Sequence, residues 1–146
     1  MQDRDADRRV RDSFGRQSIM ATIGASVQWV RKGEVEIVLP FSDNILQQHG
    51  FIHAGAVATI ADSACGYAAL SVMPADAAVL TTEFKIHLLS PAKGERLRAV
   101  GRVIRAGKKL VITSGDVFAD EGGRSKHVAM ITATMMVMET ATGLQN

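Results

Sequence analysis

The sequence predicts an α+β domain in which one long apolar helix is wrapped by an antiparallel sheet of five to six strands. Two observations carry that expectation. From Phe51 to Met73 the chain is almost uncharged and rich in Ala and Gly. A helix apolar nearly all round must be covered on most sides. After it come four long strand-like segments, separated by breaks of three to five residues. Breaks this short join antiparallel neighbours, because a parallel crossover needs a dozen or more residues.

Val10 and Phe14, with Ile19 just beyond, recur at helical spacing among charges, which predicts a short amphipathic N-terminal helix over residues 1–18. Gly24 and Gly33 then punctuate two strands. In the second, Val35, Ile37 and Leu39 alternate with Glu34, Glu36 and Val38, a half-buried pattern that Pro40 ends. A loop from Phe41 to Ile52 leads into the apolar helix, expected to end near Met73-Pro74. The strands expected next are Val79–Leu89, Glu95–Arg105, Leu110–Ala119 and Ser125–Met138. In Glu95–Arg105, Leu97, Ala99, Gly101 and Val103 face one way and Arg96, Arg98 and Arg102 the other. The tail, 139–146, should fray. The whole, 1–146, reads as one domain. A single small sheet covers only part of the helix, so the rest is expected to pack against a second subunit.

Composition narrows the function classes. A net charge of +2 gives no argument for nucleic acid. Cys65 is the only cysteine, so no internal disulfide can form. The N-terminus, MQDRDADRRVRD, has no apolar stretch, so no signal peptide is expected and a cytoplasmic location follows by default. Phe51–Met73 is long enough to cross a bilayer, but Asp62 at its middle would cost about 2.5–3.5 kcal/mol on insertion. A buried helix and no membrane partner are the expectation. His49 and His53 are four apart, but Gly50 lies between them and no third ligand is visible, so neither a metal nor a cofactor is expected.

The chemistry converges on the loop–helix junction, Gln47 to Gly55. Asp62 is an ionisable group on a face that should be buried, kept there by a partner or by function. The first N–H groups of the helix form a positive dipole end without intrahelical partners. Ala54 and Gly55 are small, so a ligand oxygen can approach those N–H groups as in an oxyanion hole. Ala54 and Asp62 are eight residues apart, hence roughly 12 Å along one helix. If both act on one carbonyl, two helices must run antiparallel across a two-fold axis, each supplying half of each site. The bland readings stand beside these: Asp62 capping a neighbouring loop, His53 anchoring the loop, Cys65 and the methionines of Met130–Met138 as packing.

The stretch QQHGFIHAGAVATIADSACGYAA (Gln47–Ala69), with Thr81-Thr82-Glu83-Phe84-Lys85 and Ser90-Pro91-Ala92-Lys93-Gly94-Glu95 after it, resembles the phenylacetate-degradation (PaaI-type) hotdog thioesterases. The resemblance spans about residues 8 to 138. It implies a hotdog fold, a tetramer built from dimers, and hydrolysis of acyl-CoA to free acid and CoA, with acyl-CoA as the partner. It makes Asp62 the general base or nucleophile and the N–H of Ala54, in a His53-Ala54-Gly55 motif that usually reads HGG, the polariser of the thioester carbonyl. Gln47 falls where relatives often carry Asn and would place the thioester or water. Thr81 would orient the attacking water, and His53 would organise the loop. Gln48 and Gly55 beside the junction are further candidate substrate contacts. Lys85, Lys93, Arg105, Lys108 and Lys109 are candidates for the CoA phosphates. Two other readings stay open: a hotdog hydratase or dehydratase, for which the helix lacks a histidine beside Asp62, and a non-catalytic acyl-CoA-binding module.

Overall fold

In chain order the elements are α1 (Gln2–Phe14), α2 (Ser18–Ile23), β1 (Ser26–Arg31), β2 (Glu34–Pro40), α3 (Ala54–Leu70), β3 (Ala78–Leu88), β4 (Arg96–Ala106), β5 (Leu110–Glu121) and β6 (Arg124–Met138). The computed structural model describes residues 2–139, with side chains from residue 4 onward. The expected fraying of 140–146 lies outside the described residues. All strand pairs are antiparallel, in one sheet ordered β1-β2-β4-β5-β6-β3. The sheet wraps α3, the hotdog arrangement that the resemblance implied.

The alanine and glycine content of α3 and of the strands beneath it has a steric reason. A Cβ at Gly101 on β4 would fall 2.3 Å from the Ala64 carbonyl carbon and 2.5 Å from the Cys65 nitrogen. One at Gly115 on β5 would meet Cys65 Sγ at 3.1 Å. Helix backbone therefore rests on strand backbone. Around this contact Ile60, Ala61, Ala64, Cys65 and Ala68 bury against Leu97, Ala99, Val117, Ile131 and Met135. Burial pushes the Cys65 thiol up to about 12, against a weaker hydrogen bond with Thr113, so it stays protonated.

Val10 and Phe14 join the core as expected, but the helix stops at Phe14. The turn Gly15–Gln17 shifts the phase, so Ile19 on α2 is 48% exposed and Met20, at 1%, takes the buried place. Arg9 ties α1 to the end of α3, donating to the carbonyls of Leu70, Met73, Pro74 and Ala77 at 2.7–3.2 Å. Helix α3 ends at Leu70 rather than at Met73-Pro74: the Leu70 carbonyl accepts from Met73 N–H in a tighter turn, and Pro74 has no N–H with which to continue the helix.

Two further expectations are corrected. On β2 the alternation is not half-buried: Glu36 and Val38 are as hidden as Val35, Ile37 and Leu39. Trp29 on β1 lies opposite Glu36 and donates its indole N–H to the carboxylate at 2.6 Å, so a charged residue is covered from outside. Nor do β3 and β4 form a hairpin. Strand β3 pairs with β6 at the sheet edge, and β5 and β6 lie between β3 and β4. The break crosses the strand ends as an extended run, with Leu89 N–H donating to Val128 and Ile52 N–H donating to Ala92. Strands sit about 4.8 Å apart and extended residues advance about 3.3 Å each, so roughly five residues span three spacings. Length alone does not distinguish this crossing from a hairpin. The other two breaks do close hairpins. Gly122 and Gly123 hold φ of 56° and 77°, the two positive values that a tight type I′ turn requires.

The helix–sheet contact makes two glycines behave oppositely. Gly101→Ala must push α3 off the sheet and is expected to cost about 3 kcal/mol, read as a lower melting temperature. Gly66→Ala, whose Cβ would meet only Met135 side-chain atoms at 3.9 Å, is expected to gain about 0.5–1 kcal/mol from helix propensity. Equal melting temperatures for the two variants would contradict the contact.

Candidate active site

The loop before α3 is folded by its own side chains. Gln47 Oε1 accepts from the N–H groups of His49 and, at 3.3 Å, Phe51, while Gln47 N–H donates to Phe51 O at 2.8 Å. His53 is the N-cap of α3: its Nδ1 accepts from Gly55 N–H at 2.7 Å. Ala54, the first helical residue, is exposed, and its N–H has no acceptor among the described residues. Ala54 and Gln47 line a cavity of about 470 Å³ with Ile52, Val57, Leu88 and Val128, and its wall is mainly apolar. Gln48 is exposed beside it.

Asp62 looks elsewhere. It borders a cavity of about 570 Å³ with Ser13, Gln17, Tyr67 and Thr81. Its Oδ1 accepts from the Thr81 hydroxyl at 2.8 Å. Burial pushes the Asp62 carboxyl above its ordinary value, and the Thr81 hydrogen bond pulls it part of the way back. One protomer thus brings Asp62 and Thr81 together, and separately Gln47, His53, Ala54 and Gly55. It does not bring the two groups together, since about 12 Å of helix lies between Ala54 and Asp62.

The helix face that carries both is the one the sheet leaves open. Gly55 is exposed, Ala58, Thr59, Asp62 and Ser63 are half-buried, and Phe84 of β3 borders the hollow beside them. Strand β3 is an edge, and its Leu80, Phe84 and Leu88 are 46%, 45% and 54% exposed. The basic candidates are scattered. Arg105, Lys108 and Lys109 sit at the β4–β5 hairpin, where Lys109 O accepts from Val137 N–H, near the start of β3. Lys85 is mid-strand on β3, and Lys93 lies on the crossing from β3 to β4. All five are exposed. Among the described residues no three His, Cys, Asp or Glu side chains form a metal-binding group, and no helix is long and apolar enough to cross a membrane.

Sequence reasoning passed over Ser13, Gln17, Ser63 and Tyr67, which border the Asp62 cavity. Tyr67 and Ser63 had a legible signal, being polar positions on the same helix as Asp62. Ser13 and Gln17 had none, because they arrive from the N-terminal elements through tertiary packing.

The model of the thioesterase superfamily matches residues 49–126, from the loop before α3 through β6's first residues. The chain belongs to the thioesterase superfamily. As a superfamily member it is a thioester hydrolase. It is similar to a thioesterase family protein from Silicibacter pomeroyi, 45% identical, with a TM-score of 0.89 over 90% of this chain and 97% of that one. It shares its fold with the Escherichia coli PaaI protein of the phenylacetic acid degradation operon, 18% identical, with a TM-score of 0.85 over 94% and 96% of the two chains. A Bacillus halodurans protein solved with CoA is 25% identical, with a TM-score of 0.77 over 90% and 87%.

In this superfamily member the raised Asp62 pKa has a stability consequence. A folded pKa above the unfolded one, about 3.9, means the contribution of Asp62 is full below that pH and is lost as pH rises through the folded value. Asp62→Asn is therefore expected to melt above the parent at pH 7, with a gap that closes as pH falls towards 4. A variant that melts lower at pH 7 would reverse the sign assigned to this burial.

Proposed function

We propose that the protein hydrolyses an aryl- or medium-chain acyl-CoA to the free acid and CoA, in a site shared between two subunits. The observation that carries this reading is the division along α3. A half-buried carboxylate held by Thr81 borders one cavity, and an unclaimed helix-start N–H opens into another, too far away to serve the same carbonyl. Two antiparallel copies of α3, meeting along the open helix face with their β3 edges adjacent, would put Asp62 of one subunit opposite Ala54 of the other. A homodimer is then the smallest active unit.

In that site Asp62 acts as general base. Thr81 donates to Oδ1, which leaves Oδ2 to take a proton from water as the water oxygen bonds to the thioester carbon. The carbonyl oxygen becomes an oxyanion that accepts from Ala54 N–H at the positive end of the helix. Collapse reforms the C=O bond and breaks the C–S bond. The proton held by Asp62 passes to the leaving sulfur, which gives the acid and the CoA thiol. Gln47 and His53 hold the loop that aims Ala54 N–H. The Bacillus halodurans protein solved with CoA supports CoA as the carrier. We assign Arg105, Lys108 and Lys109 to its phosphates, because a two-fold through β3 brings the partner's hairpin end towards the Ala54 end.

The first test is free-thiol release from a panel of acyl-CoAs. Asp62→Asn is expected to lose about a hundredfold or more in kcat/KM. Thr81→Val, which removes the hydrogen bond that lowers the Asp62 pKa, should move the acid limb of the rate profile to higher pH. Absence of turnover on every thioester by a folded oligomer would overturn the assignment.

The shared site has its own test. Ala54→Pro deletes the N–H while suiting the first helical position, and His53 at φ −59°, ψ 139° already has the backbone that precedes proline. Alone, Ala54→Pro and Asp62→Asn should both be inactive. Mixed and reassembled, half the dimers are mixed and each has one intact site of two, so about a quarter of wild-type activity should return. No recovery on mixing would place the whole site within one subunit.

A further inference from the structure

The cavity at Asp62 is not an apolar slot. Ser13 and Tyr67, which line it, are only 9% and 2% exposed, so their hydroxyls belong to a buried polar patch. Gln17 Nε2 donates to the Tyr67 oxygen at 2.6 Å, and Ser13 Oγ lies 3.1 Å from that oxygen. Ser63 Oγ donates to Gln17 Oε1 at 3.5 Å, a long bond that a better partner could replace. Gln17 stands at the N-cap of α2 but makes no side-chain bond to that helix, and its amide points across the turn to α3 instead.

Spacing turns this patch into a reader. Tyr67 lies five residues beyond Asp62, about 7.5 Å further along the axis, and Gly66 between them leaves the wall open. An acyl group whose carbonyl sits at Asp62 therefore ends against Gln17 and Tyr67 after roughly the length of one substituted six-membered ring. There the Tyr67 oxygen accepts from Gln17, which leaves the Tyr67 proton to be given to Ser13 or to a ligand acceptor. The other cavity, at Ala54, carries Ile52, Val57, Leu88 and Val128 and offers no such patch.

We propose that Gln17 and Tyr67, supported by Ser13 and Ser63, set the acyl selectivity of the site by hydrogen-bonding a polar substituent at the end of the acyl group remote from the thioester. The proposal rests on hydrolysis at Asp62. A polar substituent can take the place of the long Ser63–Gln17 bond and accept the Tyr67 proton, whereas a plain acyl group displaces water from the patch and adds no bond. The N-terminal segment thereby becomes part of the specificity apparatus rather than packing alone.

The test compares kcat/KM on matched pairs: benzoyl-CoA against 4-hydroxybenzoyl-CoA, and hexanoyl-CoA against 6-hydroxyhexanoyl-CoA. Wild type should favour at least one hydroxylated partner by about tenfold or more. Tyr67→Phe and Gln17→Leu should bring that ratio towards one, mainly through KM, with the acid limb that reports Asp62 in place. Gln17→Leu, at a half-buried turn position, keeps the test open should Tyr67→Phe fold poorly. A ratio that stays the same in the variants, or a wild-type preference for both plain partners, overturns the proposal and leaves hydrolysis at Asp62 standing. If wild type turns over no thioester at all, the assignment to Asp62 falls, and the selectivity proposal falls with it.

Discussion

The depth at which α3 lies in the sheet governs the rest of the structure. At Gly101 strand backbone meets helix backbone with no side chain between them, and at Gly115 the strand leaves room for the Cys65 sulfur. That closeness sets how far the helix stands from β3, and so whether Thr81 on β3 can reach Asp62 on α3 at 2.8 Å. It also explains why α3 carries Ala61, Ala64, Cys65 and Ala68 around this contact rather than Leu and Phe. Larger side chains would raise the helix, and the carboxylate would lose the hydroxyl that holds it.

The same geometry explains a tension at Asp62. A fold optimised for stability alone would not keep a carboxylate on a partly buried helix face, where desolvation works against its charged form. The single hydrogen bond from Thr81 offsets part of that cost. Chemistry that needs a base near neutral pH is helped by the remainder. His53 shows a related economy: one nitrogen of its ring satisfies Gly55 N–H, and the neighbouring N–H of Ala54 remains without an internal partner.

Much of this was legible in the sequence, for reasons that differ by element. The run around Asp62 read as a covered helix because its composition admits little else, and the strands from Leu110 onward read well because Gly122-Gly123 punctuates them sharply. The partition of Ala54 and Asp62 into two places followed from residue spacing on a helix, a quantity that needs no tertiary information. What escaped depended on contacts distant in sequence. Glu36 is hidden because Trp29 lies over it, Arg9 binds the carbonyls at the end of α3 from across the fold, and Ser13 and Gln17 reach the cavity from the N-terminal helices. The neighbour of β3 was misread because a short extended crossing and a hairpin look alike in a list of residues.

That crossing has a consequence for how the chain comes into being. Among the described residues strand β3 pairs only with β6, the last strand in their order, with pairs such as Ile86 and Ile131. On a ribosome adding about 5–20 residues per second, β3 waits on the order of seconds before β6 emerges. Through that interval a strand bearing Leu80, Phe84 and Leu88 has an unpaired edge on both sides, the condition under which chains join one another wrongly. Closure of the sheet is a late, long-range event, so folding speed and yield should be governed at β6, far in sequence from Ala54, Asp62 and Thr81.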